Sequence, residues 1–262
     1  LFFWKICRFK VLMAELKLTA EPQNGRTVLS SLYFTSPLKV AKPFYEDGQN
    51  PYTKVMVMQA SAGLLEGDRN EISIKLMEGA KLEYTGQSFT KVFRSPEGIG
   101  SSQNVQIELL KNAAFIYSPM PVVPFTDSVY KGETCIKLSE SSKLFYSDIF
   151  CSGRKERGES FNFKSYVSRC CIYIEEKLVF LDNARFVPNE CALDSTGFFE
   201  GFSHTALIYL YGFELPDYSK LLSDQLLCAH SQCQKGVVLR AFANGAEPLR
   251  LFISSLSALC RK

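Results

Sequence analysis

The sequence predicts an all-β-dominated fold, a stacked, helical arrangement of β-strands carrying about two C-terminal α-helices. Composition, alternation and an internal repeat carry that expectation. The 262 residues include 21 Phe and 12 Tyr against one Trp, and Phe and Tyr favour pleated strands. Three segments align: residues 71–86 read EISIKLMEGAKLEYTG, residues 104–119 read NVQIELLKNAAFIYSP, and residues 133–148 read ETCIKLSESSKLFYSD. Ile74, Ile107 and Ile136 correspond, as do Tyr84, Tyr117 and Tyr146. Each unit reads as strand, polar turn, strand. In the first strand Ile72, Ile74 and Leu76 alternate with Ser73 and Lys75, which buries one face. The turns Glu78-Gly79, Lys111-Asn112 and Glu140-Ser141 carry suitable corner chemistry. Units begin about thirty residues apart, a stacking period. A meander of hairpins and a helical stack both fit, and the even offsets favour the stack.

The other elements follow in order. Residues 1–12, LFFWKICRFKVL, are apolar and basic. They read as an N-terminal extension ahead of a start at Met13, with a short interfacial anchor as the alternative; residues 13–262 read as a single domain. Residues 26–40 look like β broken at Pro37, since proline cannot donate to a ladder. Further strands are expected at 55–58, 161–167, 171–175, 178–181, 206–211 and 237–243. Residues 217–234 carry Leu221, Leu222, Gln225, Leu226 and Ala229 at helical spacing, with Asp217 as N-cap. Residues 247–261 predict a second helix, with Pro248 in its first turn and an apolar stripe of Leu251, Phe252, Ser255, Leu256 and Leu259.

Composition narrows the function. Hydrophobic residues make up 46% and charged residues 22%, and 30 basic residues against 27 acidic leave a net charge of +3. So small an excess gives no reason to expect nucleic acid. No run is long enough to span a bilayer as a helix. Nine cysteines, an odd number without C-x-x-C spacing, read as reduced core thiols of a cytoplasmic protein.

Chemistry concentrates after the repeats. If the units stack, the segments following Tyr84 and Tyr146 lie side by side and gather Lys91, Arg94, Asp148, Arg154 and Glu159 on one surface or channel wall. Carboxylates there can hold a divalent cation weakly, as suits transit; the bland reading is an ion-paired corner that shapes a turn. Residues 61–69, SAGLLEGDR, lack the Lys-Ser/Thr of a phosphate-binding loop, so Asp68 reads simply as a turn cap. Cys228, His230 and Cys233 invite a metal reading on the expected helix, but too few ligands are adjacent to close a site. The Cys170-Cys171 pair sits in a strand with its side chains on opposite faces. No G-x-S-x-G elbow occurs, and neither His204 nor His230 sits in a hydrolase signature. A carboxylate-based hydrolase and a β-solenoid binding module remain as alternatives.

Several motifs occur together in order: Gly63 to Asp68 (GLLEGD), Thr85 to Arg94 (TGQSFTKVFR), Pro119 to Phe125 (PMPVVPF), and Asp148-x-x-x-x-Gly153-Arg154-x-x-x-x-Glu159. With the GAEPLR segment at 245–250, they make the chain resemble the urease accessory family UreD, called UreH in some bacteria, from about Leu16 to the C-terminal helix. Ala62-Gly63 stands where the family usually has two glycines, and Asp148 where its members often have Glu. The resemblance implies a stacked β fold without enzymatic activity of its own. It implies docking on apo-urease together with UreF and the GTPase UreG, and an internal passage for transiently held nickel. Carried onto this chain, the passage candidates are Asp68, Asp148 and Glu159, supported by Lys91, Arg154 and Asp182.

Overall fold

A computed structural model describes residues 12–45 and 50–261; the extension read at residues 1–12 lies almost wholly outside them. The chain runs through β1 (Met13–Gln23), β2 (Arg26–Phe34), β3 (Leu38–Val40), β4 (Phe44–Tyr45), β5 (Thr53–Gln59), β6 (Arg69–Leu76), β7 (Lys81–Gly86), β8 (Thr90–Val92) and β9 (Ser101–Leu109). It continues through β10 (Ala114–Ser118), β11 (Val122–Pro124), β12 (Val129–Leu138), β13 (Lys143–Cys151), β14 (Ser165–Ile174), β15 (Lys177–Phe186), β16 (His204–Tyr211), β17 (Leu226–Gln232), β18 (Val237–Ala243) and α1 (Ala246–Cys260).

Two sheets stack. One has the order β15-β14-β12-β9-β6-β1-β2, the other β17-β18-β16-β13-β10-β7-β5-β3 with β4, β8 and β11 attached at the side. The central pairings of both are parallel. Successive units climb from one sheet to the other and back, so the helical stack is the arrangement adopted. In the first sheet one face is buried while Ser73, Gln106 and Glu108 stand exposed on the other, whereas β10 in the second sheet is buried on both faces, as suits its apolar run.

The repeat sets the register. Leu18, Ile74, Ile107, Ile136 and Ile172 are successive partners across one sheet. Val55, Tyr84, Tyr117, Tyr146 and Tyr209 are successive partners across the other. Both rows face each other in one buried core, where each Leu or Ile contributes about 1.5–3 kcal/mol. The tyrosine rings stack at centroid distances of 4.9 Å (Tyr84–Tyr117) and 5.8 Å (Tyr117–Tyr146). The corners stack too: Gly79 N–H donates to Lys111 O at 3.0 Å, and Asn112 N–H to Ser141 Oγ at 3.0 Å.

Three expectations are corrected. Residues 217–234 do not form a helix. Ser219–Leu221 makes one short 3-10 turn, and β17 pairs antiparallel with β18, the hairpin closed by Cys233 N–H to Gly236 O at 2.9 Å. The open edge of β18 supplies a ladder that outweighs local helical spacing, so α1 is the one α-helix among the described residues. Asp217 accepts from Ser219 N–H at 3.0 Å, capping that 3-10 turn. Second, the buried face of α1 is Leu249, Phe252, Ile253 and Leu256, laid on the outer side of the second sheet, while Leu251 is exposed. Third, the strand expected at 161–167 begins at Ser165; Phe161, at φ 57°, and Phe163 instead pack in an aromatic cluster with Phe150 and Phe199. The break at Pro37 separates β2 from β3, with Ser36-Pro37 cis. No helix among the described residues is long and apolar enough to cross a membrane.

Candidate functional site

The gap between the sheets is not filled throughout. Three small cavities of about 40, 40 and 30 Å³ lie in a row, each near the size of one water molecule. The first two share Thr90, Gln103, Tyr117, Pro119 and Met120 as walls; the second and third share Asp148, Tyr166 and Ser168. Lining residues come from both sheets. Side chains from neighbouring units therefore meet here only because the register brings them together.

Asp148 stands where two cavities join. It sits on β13, and its Oδ2 accepts from Ser168 Oγ at 3.2 Å. Burial pushes its carboxyl from the usual 3.8 up to about 6, with Asp182 adding to the rise, while the Ser168 bond and Arg240 pull the other way. Tyr117, Tyr130, Tyr146 and Tyr166 surround it and are held as neutral phenols by burial. The row ends at Asp182, which is ion-paired to the exposed Arg240.

The single charged wall expected from the repeat resolves into three places. Asp148 and Asp182 share the interior. Lys91 and Arg154 come together on the opposite face of the β8–β11–β13 layer, lining a cleft of about 670 Å³. Glu159 belongs there through Arg154, bonded from Nε to Oε2 at 2.7 Å and through a second contact between Nη2 and Oε1. That pairing holds Glu159 below the usual carboxylate range. Asp68 lies in a third place, at the corner before β6. Its carboxylate accepts from Leu65 N–H at 2.9 Å and Leu12 N–H at 3.2 Å, the turn cap that residues 61–69 suggested. Arg94 is exposed and bridges in register to Ser128. The corners after Tyr84 and Tyr146 are thus neighbours, but Lys91 and Arg154 face outward while Asp148 faces inward.

Cys228 and His230 lie on β17, not on a helix, and His230 Nδ1 is 2.6 Å from Tyr218 Oη. Among the described residues no three His, Cys, Asp or Glu side chains cluster as a metal site. Cys170 is buried and Cys171 half-exposed, as alternation requires; Cys171 partners Cys135 in register on the outer face. Gln103, Tyr130, Tyr166 and Ser168 escaped sequence reading because they lie on strands of the opposite sheet. His204, weighed in the sequence only for hydrolase chemistry, is marked by its burial beside the cleft.

Two stacked, largely parallel sheets with a polar seam between them and a helix laid on the second sheet define a solenoid-like β protein. The family model described as "UreD urease accessory protein" matches residues 13–262, and the chain belongs to that family. It is 39% identical to the urease accessory protein UreD of Acetivibrio thermocellus over 82% of this chain and 78% of that one. It is 31% identical to the urease accessory protein UreH of Helicobacter hepaticus, covering 89% and 92%. It is 30% identical to UreH of a Helicobacter pylori strain, covering 86% of each.

Proposed function

We propose that this urease accessory protein is a maturation scaffold of the cytoplasm that docks on apo-urease with UreF and UreG and lets nickel pass along its interior seam. The supporting observation is the row of three cavities with Asp148 at the junction of two. An ion in these spaces exchanges part of its water for protein oxygens. Asp148 offers a carboxylate there, and Ser168, Thr90 and Gln103 offer neutral oxygens. Oxygen donors hold a borderline ion less firmly than thiolates or imidazoles, which suits release to a stronger site. A carboxyl at about 6 is mostly ionised at neutral pH and yields its remaining proton when a cation arrives. Asp182, at the far end, is held by Arg240 and serves as a mouth. Leu251 on α1, exposed at 59%, offers a docking contact for a partner.

The interior and the cleft are separable by mutation. Asp148→Ala should lower the nickel content of urease matured in cells, measured by metal analysis of the purified enzyme. Glu159→Ala, which removes the partner of Arg154 and the bonds from Thr126 on the outer face, should leave interior transit intact. Full nickel loading with Asp148→Ala would remove the passage reading.

A further inference from the structure

Strand alternation gives the β8–β11–β13 layer two faces. Thr90 and Val122 line the interior cavities, whereas Lys91 and Val123 line the outer cleft, and no residue lines both. The cleft floor is apolar, built from Phe89, Phe93, Val123 and Phe125. Its rim carries Lys91, Lys155 and Arg157, all exposed and with no carboxylate partner among the described residues. Among the described residues Glu156 is the one unpaired acid lining the cleft, so three cations against one carboxylate leave an excess of two positive charges. Arg154 adds none, being neutralised by Glu159.

Two further features point into the same space. Gly245 gives α1 no side-chain cap, and Asn244, Gly245 and Ala246 form part of the cleft wall. Ala246 and Glu247 therefore offer N–H groups to an acceptor at the start of this 15-residue helix, Pro248 having none to give and the Glu247 carboxylate being paired with Arg250. His204, on the same wall, is 8% exposed. Its Nδ1 is 2.8 Å from Ser203 Oγ, and its other ring nitrogen has no protein partner among the described residues.

We propose that this cleft docks an acidic peptide segment of a partner protein, with a carboxylate at the start of α1 and an apolar side chain on the phenylalanine floor. The rim is exposed along its length, so an occupant keeps one flank in water, as a chain crossing the surface does. A stacked nucleobase fits less well, because the Arg154 guanidinium, 4.0 Å from the ring centre, already covers Phe125. Charge complementarity selects an acidic segment.

The test selects displayed random short peptides on the full chain. Enriched sequences should carry Asp or Glu within two residues of Leu or an aromatic. Binding of the best peptide should fall at least about tenfold, the scale of a lost charge-assisted contact, in Lys155→Glu/Arg157→Glu. Ala62→Trp, which fills the cleft from an exposed position, should do the same. A photo-crosslinker on the peptide should label residues 244–246 of the unmodified chain, a readout that does not depend on any variant folding. Asp148→Ala should bind the peptide normally, which separates this proposal from the passage. Selected peptides without acidic residues, unchanged binding in both cleft variants, labelling elsewhere, or displacement by millimolar inorganic phosphate alone would each overturn it.

Discussion

Replacing Asp148 with Asn tests the interior electrostatics directly. In an unfolded chain this carboxyl titrates near 3.8; in the fold burial moves it to about 6. Below about 3.8 both states are protonated and the residue is neutral in each. As pH rises, the unfolded carboxyl ionises first, so the folded state loses stability progressively until about 6 and stays penalised above it. The full displacement corresponds to about 3 kcal/mol. Asp148 keeps some exposure to solvent, whose screening leaves about 1–2 kcal/mol. Asn keeps the acceptor for Ser168 Oγ and cannot ionise. Urea denaturation of both proteins, repeated from about pH 4 to about pH 8, should show Asp148→Asn gaining about 1–2 kcal/mol over the parent across that range. Any fixed packing difference cancels in the comparison. A stability difference flat with pH, or one that shrinks as pH rises, would refute the reasoning.

Two further outcomes follow from local geometry. His204 is held neutral by burial, with Lys155 adding to the effect, so that it protonates only near about 4 rather than 6.5; the unfolded imidazole takes its proton first. Stability should therefore fall by about 2–3 kcal/mol as pH drops from about 6.5 to about 4, and His204→Gln should remove that part of the slope in the same denaturation series. Gly153 has φ 141°, and a Cβ there would sit 2.7 Å from Glu159 O. Gly153→Ala should cost about 2–4 kcal/mol in thermal or urea unfolding, and a cost under about 1 kcal/mol would show that the corner relaxes freely.

Much of the scaffold is legible in the sequence. The Ile and Tyr spacings anticipated a stack because each unit presents the same alternation at the same offset. Placing units in register satisfies every ladder and every corner at once, down to Tyr84, Tyr117 and Tyr146 as direct neighbours. The final helix was legible from its apolar periodicity, although its buried face is turned toward Leu249 and Ile253. The Gly153-Arg154 to Glu159 spacing marked a corner, and the ion pair between Arg154 and Glu159 holds it.

What the residues determined alone was periodicity: which positions alternate, where corners fall, and how one unit superimposes on the next. These are local properties, set by backbone sterics and burial pattern. Tertiary structure decided the rest. It made 226–232 a strand, because an open edge on β18 offers hydrogen bonds that local propensity cannot anticipate. It also sent Asp148 inward and Lys91 and Arg154 outward, since the face a side chain takes depends on how each strand enters its sheet. The proton affinity of Asp148 has the same origin, arising from groups on other strands that meet only when the units close upon one another.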